Sequence, residues 1–201
     1  MTSVRHLDDR LMLAVNEFAR STPFLHAGVV GYATYGVVLF GALLVAGLVY
    51  ARHRRSDLLA AAGWAGVATL LAVALNQPLG RHVAEARPYT THPGLLRLVS
   101  PTADFSFPSD HCVMAGAVTL GLLLVSRRLG LVALVLALLM AFARVYVAAH
   151  YPWDAAAGLV LGGGVCGLGW LLLRRPLTAL TEWLRSRPGV RLAFAQTVSA
   201  P

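Results

Sequence analysis

Hydrophobic residues in this chain gather into long runs, and polar residues into the short stretches between them. A helix needs about 20 apolar residues to cross the hydrocarbon of a bilayer, and five stretches reach or approach that length. The first, Phe24 to Tyr50, carries no formal charge. The second runs from Leu58 to about Gly80, and the third follows His111 to near Val125. The fourth covers Leu129 to about Ala149, interrupted only by Arg144, and the fifth runs from Ala155 to Leu173. Ahead of them, Val4 to Arg20 sets Leu7, Leu11, Leu13, Val15 and Phe18 among charges, the pattern of an amphipathic helix lying at a membrane surface. Beyond them, Thr178 to Leu192 reads equally as a second surface segment or as disordered chain. The expected fold is all-α: an integral membrane helical bundle of about five transmembrane helices plus the N-terminal interfacial helix. It forms one domain over residues 1–201, divided into interfacial helix (1–22), transmembrane core (23–173) and cytoplasmic tail (174–201).

Composition supports this pattern. The chain has 201 residues, 57% hydrophobic and 13% charged, where soluble domains are about a quarter charged. Its formal charge of +8 comes from 17 basic residues, all arginine. Because these arginines sit between apolar runs, they speak for membrane topology rather than nucleic-acid binding. Arg52, Arg54 and Arg55, the pair Arg127-Arg128, and the pair Arg174-Arg175 share one face, which the positive-inside rule makes cytoplasmic. The N-terminal segment, the connection from Arg81 to Pro108 and the turn from His150 to Pro152 then lie on the extracytoplasmic face. Asp8, Asp9 and Arg10 precede any apolar run, unlike a cleaved signal peptide. Cys112 and Cys166 fall inside apolar stretches with no metal-ligand spacing and no disulfide framework, as small core residues do. Gly158, Gly162, Gly163, Gly164, Gly167 and Gly169 in the fifth span suit close helix packing in lipid.

Three segments on the extracytoplasmic face carry chemistry: Arg81 to Tyr89, Phe105 to His111, and Ala143 to Asp154. Arg144 lies in an apolar run, where a charged side chain is costly and usually functional. His150 and Asp154 are four residues apart. A helix starting near Pro152 places the Asp in its first turn, within reach of the imidazole, and a carboxylate on one ring nitrogen leaves the other free to attack. Ser109 stands where a helix N-cap belongs, and helix N-termini hold anions. His111, just inside that helix, is placed to protonate a leaving oxygen. Arg81, Arg87 and Arg144 suit forked contacts to phosphate. Taken singly, each arginine reads as a snorkelling anchor and each histidine as structural; their convergence on one face favours phosphoryl transfer. No Asp/Glu cluster or His pair has metal-site spacing, so the arginines stand in for a cation and no cofactor is expected.

Arg87-Pro88, Pro108-Ser109-Asp110-His111, and Arg144 with five residues to His150 and three more to Asp154 resemble the signature of the type-2 phosphatidic acid phosphatase superfamily. Where that family has a Lys ahead of Arg-Pro this chain has Gly80, and Arg81 is the substitute. Ala143 replaces a Ser. Asp110 replaces a Gly, a form similar to the undecaprenyl-diphosphatase branch, as is the stretch Ala14 to Pro23. The resemblance implies that His150 is a nucleophile forming a phosphohistidine, Asp154 its orienter and His111 the general acid. It implies phosphate binding by Arg87, Arg144 and Ser109, with Arg81 and Asp110 beside them. The activity it implies is metal-independent removal of phosphate from a membrane lipid, undecaprenyl diphosphate first, at the outer face of a bacterial plasma membrane. Phosphatidylglycerophosphate, phosphatidic acid and polyprenyl monophosphate are the alternatives. Vanadate-dependent haloperoxidation is set aside by the membrane spans, and a non-catalytic lipid-binding role by the complete set of His111, His150 and Asp154. The expected partners are the lipid phosphate and the bilayer, not nucleic acid, and a homo-oligomer is left open.

Overall fold

The computed structural model describes residues 2–187. Among them the regular structure is helical throughout: α1 (Thr2–Ser21), a short 3-10 turn (Pro23–Leu25), α2 (His26–Tyr35), α3 (Val37–Ala51), α4 (Ser56–Val83), α5 (Pro88–Thr91), α6 (Asp110–Val125), α7 (Arg127–Tyr146) and α8 (Pro152–Ser186). In α1, Met12, Asn16 and Ala19 are buried against the bundle, at the spacing of one helical face. Leu7, Leu11 and Phe18 form a second apolar stripe that stays exposed, as an interfacial helix requires. Asn16 pins the long α5–α6 connection to α1 by a reciprocal pair: its Nδ2 donates to Leu96 O at 2.9 Å and its Oδ1 accepts from Leu96 N at 3.0 Å.

The spans differ from the sequence pattern in instructive ways. The first expected span is two helices, α2 and α3, bent by 53° at Gly36. On length and apolarity α4, α7 and α8 can each cross a membrane, and α2 with α3 makes a fourth if counted as one bent span. The expected third span is present as α6, but its 16 residues rise only about 24 Å against a hydrocarbon core of about 30 Å. It is the central helix, packed by α3, α4, α7 and α8. The last helix does not stop at Leu173: α8 runs 35 residues through Arg174, Arg175 and Pro176 to Ser186. At its far end the Arg185 guanidinium donates to Arg54 O at 2.7 Å, Arg52 O at 2.8 Å and Ser56 Oγ at 3.2 Å, tying α8 to the α3–α4 turn. Of the expected surface segment from Thr178 to Leu192, residues 188–192 lie outside the described residues.

Small residues bring α6 and α8 into backbone contact. A Cβ on Gly158 would stand 2.8 Å from Ser109 O, and one on Gly162 would collide with the Val113 carbonyl. Gly164, by contrast, has open space around it. Cys112 and Cys166 are buried free thiols. The large exposed side chains on the outside are apolar, Leu70, Val160 and Leu172 each at least 74% exposed, a surface that suits lipid rather than water. The close α6–α8 approach sets the N-termini of these two helices side by side, with Ser109 N donating to Asp154 O at 3.2 Å.

Candidate active site

The N-terminal ends of α6 and α8 meet the C-terminal end of α7 and the loop after α4, and between them lies a small cavity of about 140 Å³. Arg87, Asp104, Asp110, His111, Arg144 and His150 line it, together with Tyr89 and Phe105. Five of the eight residues singled out from the sequence therefore share one cavity, drawn from segments up to 63 residues apart.

His150 sits in the short link between α7 and α8, only 2% exposed. Its Nδ1 is 2.7 Å from Ser106 O. A carbonyl only accepts, so Nδ1 carries the proton and Nε2 keeps its lone pair. Arg87 Nη1 donates to that Nε2 at 3.2 Å and to Ala149 O at 2.8 Å. Burial first, then the charges of Arg144 and Arg87, hold His150 well below its ordinary value of 6.5, against the smaller upward pull of the Ser106 carbonyl. The ring is therefore neutral at physiological pH. Ala148, just ahead of it, has a left-handed backbone at φ 60°, which sharpens the turn that brings Ala149 O and His150 to Arg87.

Asp154 lies behind His150, 1% exposed, in the first turn of α8 as the Pro152 start implies. Its Oδ2 is 3.7 Å from His150 Nδ1, an electrostatic distance rather than a hydrogen bond. That oxygen instead accepts from Tyr151 N at 2.9 Å and from the Ser106 hydroxyl. The expected direct bond from carboxylate to imidazole is thus replaced by two bonds through Ser106, because the Phe105–His111 segment passes between them.

Arg87 is 6% exposed and pairs through Nη2 with Asp104 Oδ2 at 2.9 Å. Burial pulls the Asp104 carboxyl up, but the Thr102 hydrogen bond and the Arg87 charge outweigh it and leave it below its ordinary value. Arg144 spends one donor, Nη1, on Ala33 O at 3.0 Å, while its buried Nε has no protein partner. Ser109 occupies the N-cap position of α6 without making a side-chain cap, and its buried Oγ has no partner. Orphaned buried donors cost stability, and of these two residues Arg144 lines the cavity.

Two expected residues are placed differently. Arg81 is exposed near the end of α4 and lines a neighbouring groove of about 430 Å³ with Gln77, Phe107 and Asp110; it does not line the His150 cavity. Asp110 lines both, but its carboxylate is held by Asn76 Nδ2 at 2.6 Å and Gln77 Nε2 at 3.0 Å, so it serves the α4–α6 junction. Sequence reasoning passed over Ser106, Asp104 and Asn76. The adjacency of Ser106 to the Pro-Ser-Asp-His run was the one available signal. Among the described residues no group of three or more His, Cys, Asp or Glu side chains is placed to hold a metal ion.

Residues 60–176 match the PAP2 superfamily, a stretch containing every segment that lines the cavity. The chain is 28% identical to the undecaprenyl-diphosphatase BcrC of Bacillus subtilis over 148 residues, which cover 74% of this chain and 75% of that protein. It is 34% identical to the decaprenylphosphoryl-5-phosphoribose phosphatase of Mycobacterium tuberculosis over 158 residues, 77% of this chain and 84% of that one. Its fold is similar to the crystal structure of a transmembrane PAP2 type phosphatidylglycerolphosphate phosphatase from Bacillus subtilis, with a TM-score of 0.56 at 20% identity over 93% and 90% of the two chains. With the family matched across more than half of its length, and the cavity built from that matched region, this chain belongs to the PAP2 superfamily and is a membrane lipid phosphatase.

Proposed function

We propose that the protein removes the terminal phosphate of a polyprenyl diphosphate, undecaprenyl diphosphate first, through a phosphohistidine on His150. The observation that carries this reading is His150 Nε2, unprotonated and capped only by the Arg87 guanidinium at 3.2 Å, on a cavity lined also by Arg144 and His111. In the first step Nε2 attacks phosphorus, the bond from phosphorus to the bridging oxygen breaks, and His111, which takes up a proton when the anionic phosphate binds beside it, donates that proton to the oxygen. The polyprenyl monophosphate leaves. In the second step water attacks the phosphohistidine, the P–N bond breaks, and His111, now neutral, takes the proton from that water. Arg87, Arg144, the Ser109 hydroxyl and the α6 N-terminus balance the charge on the transferring group, each such donor contributing about 10²–10³-fold. Asp154, 3.7 Å from Nδ1, supports the positive ring of the intermediate.

A polyprenyl tail is favoured by both relatives above, whose names specify undecaprenyl and decaprenylphosphoryl substrates. The positive-inside distribution of Arg52, Arg54, Arg127 and Arg174 supports a cavity on the extracytoplasmic side of the plasma membrane. A second reading, a phosphatase of another polyprenyl-linked phosphate, is favoured by the mycobacterial relative and uses the same histidine chemistry.

The test is phosphate release in detergent with EDTA present. Wild type and His150→Ala are compared on undecaprenyl diphosphate, undecaprenyl phosphate, phosphatidylglycerophosphate and phosphatidic acid. Release from the diphosphate by wild type alone supports the proposal. Preference for another lipid keeps the nucleophile and changes the substrate, and turnover by His150→Ala removes the mechanism.

A further inference from the structure

We infer that Ser106 is the positioning residue through which Asp154 acts on His150, an inference that rests on the nucleophile reading above. Neutral imidazole has one N–H, and here it is committed: Nδ1 donates to Ser106 O at 2.7 Å, leaving none for a carboxylate oxygen 3.7 Å away. The same serine turns its hydroxyl the other way and donates it to Asp154 Oδ2. Its backbone N–H is also used, donating to Glu85 O at 2.8 Å. Ser106 is thus fully buried and held at three points, with one group on the nucleophile, one on the acid and one on the loop that delivers Arg87.

This arrangement divides two tasks usually given to one carboxylate. The Ser106 carbonyl sets the tautomer and ring plane, because a carbonyl cannot donate and so excludes the Nδ1 lone-pair form. The Asp154 carboxylate holds the serine side chain, and through it the direction of that carbonyl. Its other oxygen, Oδ1, is buried with no hydrogen-bond partner, and the carboxylate lies 3.7 Å from the ring that becomes cationic. Deleting the Ser106 hydroxyl cuts the link between acid and carbonyl while leaving both in the protein. It touches neither the cavity wall nor any phosphate donor, so its effect belongs to kcat rather than KM.

The experiment is a double-mutant cycle on purified protein with undecaprenyl diphosphate, or with whichever of the four lipids wild type turns over. Wild type, Ser106→Ala, Asp154→Asn, the double variant and His150→Ala are compared, with thermal unfolding followed in parallel. Ser106→Ala is expected to lose about tenfold in kcat with KM within about twofold, and Ser106→Cys, which keeps a weaker donor, to fall between it and wild type. The double variant is expected to match Asp154→Asn, since two residues acting as one unit do not add. Losses that multiply in the double variant overturn the inference, as does a folded Ser106→Ala within twofold of wild type. His150→Ala separates the failures: turnover in that variant removes the nucleophile reading itself, whatever Ser106 does.

Discussion

Both ends of the bundle are built on a partly or fully buried arginine near the end of a long helix, yet the two are used differently. At the far end Arg185 of α8 places its Nη groups on two backbone carbonyls and a hydroxyl of the α3–α4 turn. At the near end Arg144 of α7 makes one such bond, to Ala33 O, and its guanidinium lines a cavity. Arg87, its neighbour, points a donor at the lone pair of a neutral histidine. Arg185 and Arg144 both keep a buried Nε without a partner, so what marks the site is not arginine, burial or an unspent donor but the cavity that Arg144 shares with Arg87, His111 and His150. The unpartnered Ser109 Oγ belongs to the same end.

The sharpest way to break this contrast is at His150. His150→Ala is expected to lower kcat by at least about 10³-fold with the bundle still folded; measured phosphate release and helical circular dichroism check both halves. Arg144→Ala comes next, with a loss of about 10²–10³-fold in kcat/KM, read by steady-state kinetics. Arg81→Ala tests the groove beside the cavity: because Arg81 does not line the His150 pocket, a loss of under about tenfold, carried mainly by KM, is expected. Arg185→Ala is the mirror experiment. It is expected to cost about 1 kcal/mol of stability in thermal unfolding, leaving three acceptors to water, while kcat stays within about twofold.

The smallest expected effect is on pH dependence. A histidine held below its ordinary 6.5 is unprotonated above that value, so lowering pH toward 6.5 removes no nucleophile, and its acid limb in kcat/KM lies lower still. The Asp104 carboxylate favours the protonated ring, pulling against burial and the two arginines. Asp104→Asn is therefore expected to move that limb further toward acid, and a limb moving toward neutral pH would contradict the electrostatic picture.

The near end was largely legible because its residues are tied to helix starts. Pro152 begins α8, which puts Asp154 in the first turn and His150 just ahead of it. Ser109 precedes α6 in the same way. Arg81 illustrates the opposite case. One residue along a helix is a rotation of about 100°, so a position adjacent to the family's lysine faces the neighbouring groove rather than the cavity. The bend at Gly36 left no mark either, since Gly36 stands in an apolar run that also contains Gly28, Gly31 and Gly41. Arg174-Arg175-Pro176 looks like a stop, yet α8 continues because its next turns lie against α4 and the α3–α4 turn.

The helical, lipid-facing character of the chain is written in its residue order, and so are the candidate residues of its site. Apolar run length, proline at a helix start and residue spacing are local quantities, and they act through backbone geometry alone. That α6 is a short central helix, that Arg87 finds Asp104, and that a serine carbonyl rather than a carboxylate meets His150 Nδ1 came from packing alone. A backbone carbonyl has no residue type to read, and which one faces a ring depends on how three separate segments pack.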